Sequence, residues 1–358
     1  MRHGLLFVDQ LARPVPGGIG VYIGGILQGI SQLRLELNLD LLTSKTDVSI
    51  VPSRWQGRHV QARFEHRIQQ RLWDKGMHLA SGPWTFYHAF SLGGPPLRMD
   101  IPKAVAVYDL LFRTAQETFP SRARSWHERR LAQVVESDSR IVTLATETVP
   151  QLMDAGIAPE RLVVIPPGVD HVAPADLAAT SSLLANLGIV DRYLMVLGTI
   201  EPRKNLIRIL QAYQHYRATT FDPLPLVIVG PKGWGPEITP PRGVYMVGKV
   251  TAGVVSGLLA RAQALLYVPL QEGFGLPVIE ALAGAVPVVT SANIPAARFG
   301  GLRVEPTDVD AIAEAIERIV HDDPLRSRLV AHGLLAVEGL TWIEAARRHV
   351  KLWEELTE

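Results

Sequence analysis

The chain has no cysteine, which removes disulfide scaffolds, thiolate metal sites and cysteine nucleophiles and fits a reducing compartment. Charge imbalance is nearly absent. The 36 basic and 35 acidic residues leave a formal net charge of +1, so no global field draws the protein to the many phosphates of a nucleic acid. The apolar run before Asp9 is too short for a signal-peptide core, and a cytoplasmic location is the expectation. Among 11 histidines there is no His-Glu-x-x-His, and no Gly-x-Ser-x-Gly occurs, so metalloprotease and serine-hydrolase chemistry lack their minimal signatures. The uncharged stretch from Pro14 to Leu33 is long enough to raise a membrane span, but it holds Pro14, Pro16 and six glycines. A turn followed by a packed helix explains that composition better.

What is present is an ordinary globular balance, 47% apolar and 20% charged, over 358 residues. Such a length divides naturally into two domains, each able to bury its own core. Short apolar runs alternate with helical patterns throughout, the mark of α/β sheets with crossover helices. Strands are expected at Leu5–Val8, Leu37–Leu42, Thr85–Phe90, Ala104–Tyr108, Ile141–Leu144 and Leu162–Ile165 in the first half. In the second half they fall at Tyr193–Leu197, Leu226–Val229, Val244–Val247, Ala264–Val268 and Val286–Thr290. Helical spacing shows in Leu206, Ile209, Leu210 and Tyr213, and in Ile312, Ala315, Ile316 and Ile319. Thr341 and Glu344 form a capping box for a last helix with Trp342, Ala346, Val350 and Trp353 on one face. Pro166–Asp170 and the alanine-rich segment to Asn186 mark the hinge.

Two patterns mislead. Gly243 to Val250 resembles a phosphate-binding loop, but its middle residues are strand formers and Val250 has no hydroxyl for magnesium. Asp308 and Asp310 resemble a metal-holding Asp-x-Asp, yet they open a periodic helix where acidic residues cap and complement the dipole. Arginine outnumbers lysine 29 to 7, which discounts basic patches generally. Residues 54–75 still carry six basic side chains against Glu65 and Asp74, with Trp55, Phe64, Ile68, Leu72 and Trp73 interleaved. That segment reads either as a peripheral membrane helix or as a solvated face.

Chemistry concentrates in two loops. Gln271 to Glu280 runs from a strand into a helix with Pro277 in its first turn. Free amides near Gly273, Phe274, Gly275 and Leu276 then form a cradle for an anion or sugar hydroxyls. Glu272 in the loop and Glu280 in the helix's first turn can accept bonds from vicinal hydroxyls, at the strand end where open α/β sheets bind ligands. In Gly198 to Asn205, Arg203 and Lys204 stand together at a helix N-terminus capped by Asn205. Two cations there oppose the macrodipole unless an anion sits between them.

These residues resemble the retaining family 4 glycosyltransferases of the GT-B fold. The Glu272-to-Glu280 spacing around Gly-Phe-Gly-Leu-Pro and the Arg203-Lys204-Asn205 triplet carry the resemblance. It continues through Gly17-Gly18-Ile19-Gly20 and Val164–Asp170. The resemblance implies two Rossmann-like α/β domains facing each other, an N-terminal acceptor-side domain at 1–170 and a nucleotide-sugar domain at 171–340, with a helix at 341–358 crossing back to the first. It implies transfer of a hexose from a nucleotide diphosphate sugar, GDP-mannose or UDP-sugar in type, to a hydroxyl of a glycan, glycolipid or small molecule. The implied reaction retains configuration and needs no metal or other cofactor. Carried over by position, Glu280 binds the donor ribose, Glu272 with the amides of Phe274 and Gly275 the transferred sugar, and Arg203 with Lys204 the diphosphate. Lys232 and Gly18 join the donor side, and Gly17, Ile19 and His88 are candidates for the acceptor or sugar side. Tyr108 and Asp109 stand where the family usually has His-Asp, so Tyr108 replaces a histidine beside the anomeric carbon. That departure motivates the alternative of a non-catalytic sugar-nucleotide-binding or assembly subunit. No nucleic-acid partner is expected.

Overall fold

The computed structural model describes residues 2–46, 50–52, 55–79, 81–96 and 100–358. The chain divides into two compact units, Met1–Asp170 with Leu340–Glu358, and His171–Gly339. The first unit holds a seven-stranded sheet built from β1 (Arg2–Phe7), β2 (Leu37–Lys45), β3 (His59–Glu65), β4 (Phe86–Ala89), β5 (Lys103–Ala106), β6 (Arg140–Thr143) and β7 (Leu162–Val164), in the order β3-β2-β1-β4-β5-β6-β7. The second holds β8 (Leu194–Leu197), β9 (Leu226–Val229), β10 (Val244–Gly248), β11 (Ala264–Tyr267), β12 (Val288–Ser291) and β13 (Leu302–Val304), in the order β10-β9-β8-β11-β12-β13. Every pairing is parallel. The architecture is therefore a pair of Rossmann-like doubly wound sheets.

The periodic residues form the cores expected of them. Leu206, Ile209, Leu210 and Tyr213 of helix Leu206–Thr219 are buried with Ile312, Ala315, Ile316 and Ile319 of helix Val309–His321 against β8, β9 and β11. Strand β10 occupies the false phosphate loop, and Asp308 caps its helix by accepting from the Ala311 amide at 2.9 Å. Two strands escaped the sequence reading. β3 alternates exposed and half-buried residues at a sheet edge, and β13 is three residues long.

The 54–75 segment needs correction. Arg54 lies outside the described residues; 59–65 is strand β3, and only His66–Asp74 is helical. Trp73 is buried in the core against Phe7, so it is not a membrane-facing aromatic. Arg58 is committed to Asp40, with its guanidinium 2.7 Å from Oδ2. Ile68, Arg67 and Arg71 remain on the surface.

The glycines between Gly17 and Gly29 serve mainly close packing. Helix Gly17–Ile30 receives the last helix, Trp342–Glu355, directly on its backbone. A Cβ at Gly25 would lie 2.1 Å from the Trp342 ring, and one at Gly29 would lie 2.2 Å from the Trp342 carbonyl oxygen. Thr341 caps the last helix through the Glu344 amide, and Asp170 accepts from the Trp342 amide at 2.7 Å. The stretch Asp323–Glu355 is by length and composition apolar enough to cross a membrane. It is divided, however, into helix Asp323–Val337 of the second unit and helix Trp342–Glu355 of the first.

Candidate active site

In each sheet the strand order reverses beside the first strand, so loops leaving neighbouring strands diverge and open a crevice at their carboxyl ends. In the second unit this switch lies between β8 and β11. The two chemistry-bearing loops emerge from those strands.

Backbone bonds lace the loops together. The Leu270 amide donates to the Arg203 carbonyl at 2.9 Å, and the Ala296 amide to the Phe274 carbonyl at 2.9 Å. Asn205 takes the left-handed conformation, φ 59°, and its amide nitrogen donates to the Val268 and Pro306 carbonyls at 3.0 and 2.7 Å. It stands at the helix start but is a strut between loops; its side chain caps no amide, contrary to the expectation. Gly275 has φ +105°, and a Cβ there would press on Ala296 and Ile294 at 3.0 and 3.1 Å. The buried Pro295–Ala297 segment thus backs the Gly273–Gly275 turn. Helix Leu276–Ala283 follows, with proline in its first turn. Glu280, the fifth residue of that helix, falls in the second turn and not the first.

The charged centre is tight. Glu272 accepts from Arg203 Nη1 at 2.5 Å and from Lys204 Nζ at 2.5 Å, and Tyr267 donates its hydroxyl to the same carboxylate at 2.7 Å. Lys204 also lies 2.8 Å from the Tyr267 oxygen, and Arg203 Nη2 donates to Glu201 at 2.6 Å. Burial would raise the Glu272 carboxyl, but the adjacent Lys204 and Arg203 charges outweigh it and hold the group at about 2. Burial likewise opposes the Arg203 charge, and Glu272 and Glu201 raise its pKa above the ordinary guanidinium value. Burial and the Glu272 charge push the Tyr267 phenol well up. The expected anion between Arg203 and Lys204 is therefore supplied by the chain itself. Two cations face two carboxylates, and the cluster is electrically complete.

Around it, Glu280 Oε1 lies 3.0 Å from His171 Nε2, both largely buried. Phe274 is buried beside Phe299, and Gly273 and Gly275 are buried with it, while Leu276 is half-buried. Lys232 pairs through its backbone with Ile200, and its exposed ammonium lies 3.6 Å from Glu237. Tyr267, Glu201 and His171 were missed from sequence. Tyr267 reads as the last core residue of a strand, and His171 as one polar residue of a hinge; only their placement signals a role.

In the first unit the switch lies between β1 and β4, and a cavity there is lined by Arg13, Ile19, Tyr108, Asp109 and Trp126 among others. Asp109 accepts from the Leu111 amide at 3.0 Å. Gly17, φ +63°, and Gly18 are exposed at the start of their helix. Tyr108 is corrected in one respect: its hydroxyl donates to the Phe90 carbonyl at 3.0 Å, and burial raises its pKa. It packs edge-on against Tyr22, so it does not offer a free phenol to a sugar. His88 is corrected fully. Its ring is completely buried, stacks on Phe90 and accepts at Nδ1 from Trp353 Nε1 at 2.9 Å. Burial, with His349 nearby, drives its pKa far down, so it is a neutral core residue holding the last helix.

Residues 186–334 match the model of glycosyl transferases group 1. The O-antigen chain mannosyltransferase B of Escherichia coli is 27% identical over 280 residues, 72% of this chain and 71% of the relative. The phosphatidyl-myo-inositol mannosyltransferase of Mycobacterium leprae is 24% identical over 99% of this chain and 96% of its own. The solved sucrose-phosphate synthase of Thermosynechococcus elongatus superposes with a TM-score of 0.74 at 18% identity, over 99% of both chains. With the paired loops at the β8–β11 switch, these likenesses make residues 186–334 similar to glycosyl transferases group 1 and the whole chain similar in fold to solved GT-B glycosyltransferases.

Proposed function

We propose that the chain transfers a hexose from a nucleotide diphosphate sugar to an acceptor hydroxyl, with retention of configuration and without a metal ion. Mannose, the sugar in the names of two relatives, is the first hexose to test, from GDP-mannose. The observation carrying this reading is the Arg203–Lys204–Glu272–Tyr267 cluster at the switch point. An incoming diphosphate offers the two cations more acceptor oxygens than one carboxylate does, so it displaces Glu272 from them. Glu272, released, accepts hydroxyls of the transferred sugar, while Glu280, oriented by His171, accepts those of the ribose. As the glycosidic bond breaks, negative charge grows on the leaving diphosphate, where Arg203 and Lys204 stabilise it. The acceptor enters on the face the diphosphate leaves, and its proton passes to the departing phosphate oxygen. The acceptor, a glycan, glycolipid or small molecule, belongs to the first unit, beside Asp109. The reaction is placed in the cytoplasm.

Incubating the full chain with GDP-mannose or UDP-glucose should release nucleoside diphosphate above background, and should do so in EDTA. Product NMR should show the donor's anomeric configuration. Arg203→Ala should lower both donor affinity and turnover; a normal turnover number would reject the diphosphate role. Tight nucleotide binding with no turnover on any donor would favour a non-catalytic assembly subunit. Activity restored only by magnesium or manganese would reject metal independence.

A further inference from the structure

We propose that Glu201 is a specificity-determining residue of the donor site: its fixed negative charge behind Arg203 lowers affinity for the spent nucleoside diphosphate more than for the nucleotide sugar, so the site favours substrate over product. This rests on the reading of Arg203 and Lys204 as the diphosphate cations and deepens it.

The Arg203 guanidinium is held on two edges. Its Nη1 donates to Glu272 at 2.5 Å and to the Gln271 carbonyl at 3.3 Å, and its Nη2 donates to Glu201 at 2.6 Å. A diphosphate that displaces Glu272 takes over the first edge and leaves Glu201 on the second. The two carboxylates differ in their other partners. Glu272 also binds Lys204 and Tyr267, whereas among the described residues the Glu201 side chain pairs with Arg203 alone. The backbone carrying Glu201 is pinned on both sides, where the Ile200 amide donates to the Pro231 carbonyl at 3.0 Å, the Gly233 amide to the Ile200 carbonyl at 3.1 Å and the Lys204 amide to the Glu201 carbonyl at 2.9 Å. A largely buried carboxylate is thus kept beside a site for anions, where its charge opposes every one of them.

The opposition is unequal. In a nucleotide sugar each phosphate carries a single charge. Breaking the glycosidic bond leaves the terminal phosphate free to lose a second proton, which dissociates near pH 6, so the product gains close to one further negative charge. That charge arises on the phosphate that Arg203 and Lys204 hold, and repulsion from Glu201 grows in proportion to it. With Glu272 displaced, Arg203, Lys204 and Glu201 present one net positive charge. Without the Glu201 carboxylate they would present two, and the added attraction would fall most heavily on the product.

The test is calorimetry on the full-length chain in EDTA at about pH 8, with GDP against GDP-mannose and UDP against UDP-glucose. Glutamine at position 201 keeps an oxygen for Arg203 Nη2 and removes only the charge. Glu201→Gln should bind both members of a pair more tightly and shift their affinity ratio toward the nucleoside diphosphate by at least about fivefold. Glu201→Ala, which also removes the charge, should shift the ratio the same way. Glu201→Asp keeps the charge and should hold the ratio of the unmodified chain even if both affinities change. A ratio unmoved in Glu201→Gln and Glu201→Ala, or moved as far in Glu201→Asp, overturns the proposal, because a strut that merely places Arg203 would change both affinities together. Failure of the unmodified chain to bind any of the four nucleotides defeats the donor reading and this inference with it; binding by the unmodified chain with an unmoved ratio defeats this inference alone.

Discussion

Replacing Glu272 by glutamine should tighten nucleoside diphosphate binding while it destroys transfer. In the structure the Glu272 carboxylate holds both Arg203 and Lys204, at 2.5 Å from each. The neutral amide leaves Lys204 with the Tyr267 hydroxyl and Arg203 with Glu201. A diphosphate then no longer competes with a charge-assisted bond of about 1.5–3 kcal/mol, which corresponds to an affinity gain of roughly 10- to 100-fold. Turnover should fall at least about 100-fold, since the carboxylate is absent when charge develops on the sugar. The unliganded variant should lose about 3–5 kcal/mol of stability, the scale for removing one partner of a buried ion pair, and recover much of it with saturating diphosphate. The pH dependence has a definite sign. The Glu272 carboxyl titrates near 4.5 when exposed and near 2 in the folded chain. Its stabilising contribution, on the order of 3 kcal/mol, is complete above about 4.5 and is lost as pH falls toward 2. Calorimetry with UDP and GDP, beside denaturant melts at pH 7 and pH 3, reads all of this. Unchanged or weaker diphosphate binding by the variant would refute the competition between Glu272 and the diphosphate.

Four further substitutions have expected outcomes of their own. Glu280→Gln should weaken donor binding by about 1.5–3 kcal/mol through the ribose hydroxyls, and His171→Ala should raise donor KM with kcat little changed; unaltered calorimetric affinity of Glu280→Gln removes the ribose role. Tyr108→Phe deletes the bond to the Phe90 carbonyl and should cost about 1 kcal/mol in a urea melt and less than about tenfold in kcat; an inactive, folded variant would restore the phenol to the chemistry. Gly29→Val, whose Cβ would fall 2.2 Å from the Trp342 carbonyl oxygen, should destabilise the first unit by about 1–3 kcal/mol or more. A melt indistinguishable from that of the unmodified chain would show that the last helix does not rest on that backbone.

Alternating apolar runs specified two parallel sheets because strands buried on both faces need continuous apolar sequence, and helices covering them need a 3.6-residue stripe. The loops Arg203–Asn205 and Glu272–Glu280 were legible because each joins a strand to a helix, and short local motifs carry their geometry with them. Edge strand β3 was not, since an edge exposed to solvent tolerates the polar alternation of His59 to Glu65. Neither sequence spacing nor residue type could show that Glu272 neutralises Arg203 and Lys204, that Tyr267 and His171 join the site, or that His88 is sealed under Trp353. Those contacts join residues as far apart as 265 positions. They exist because parallel strands order themselves by crossover topology and not by chain sequence, so the partners of a buried charge are chosen only when the sheet is assembled.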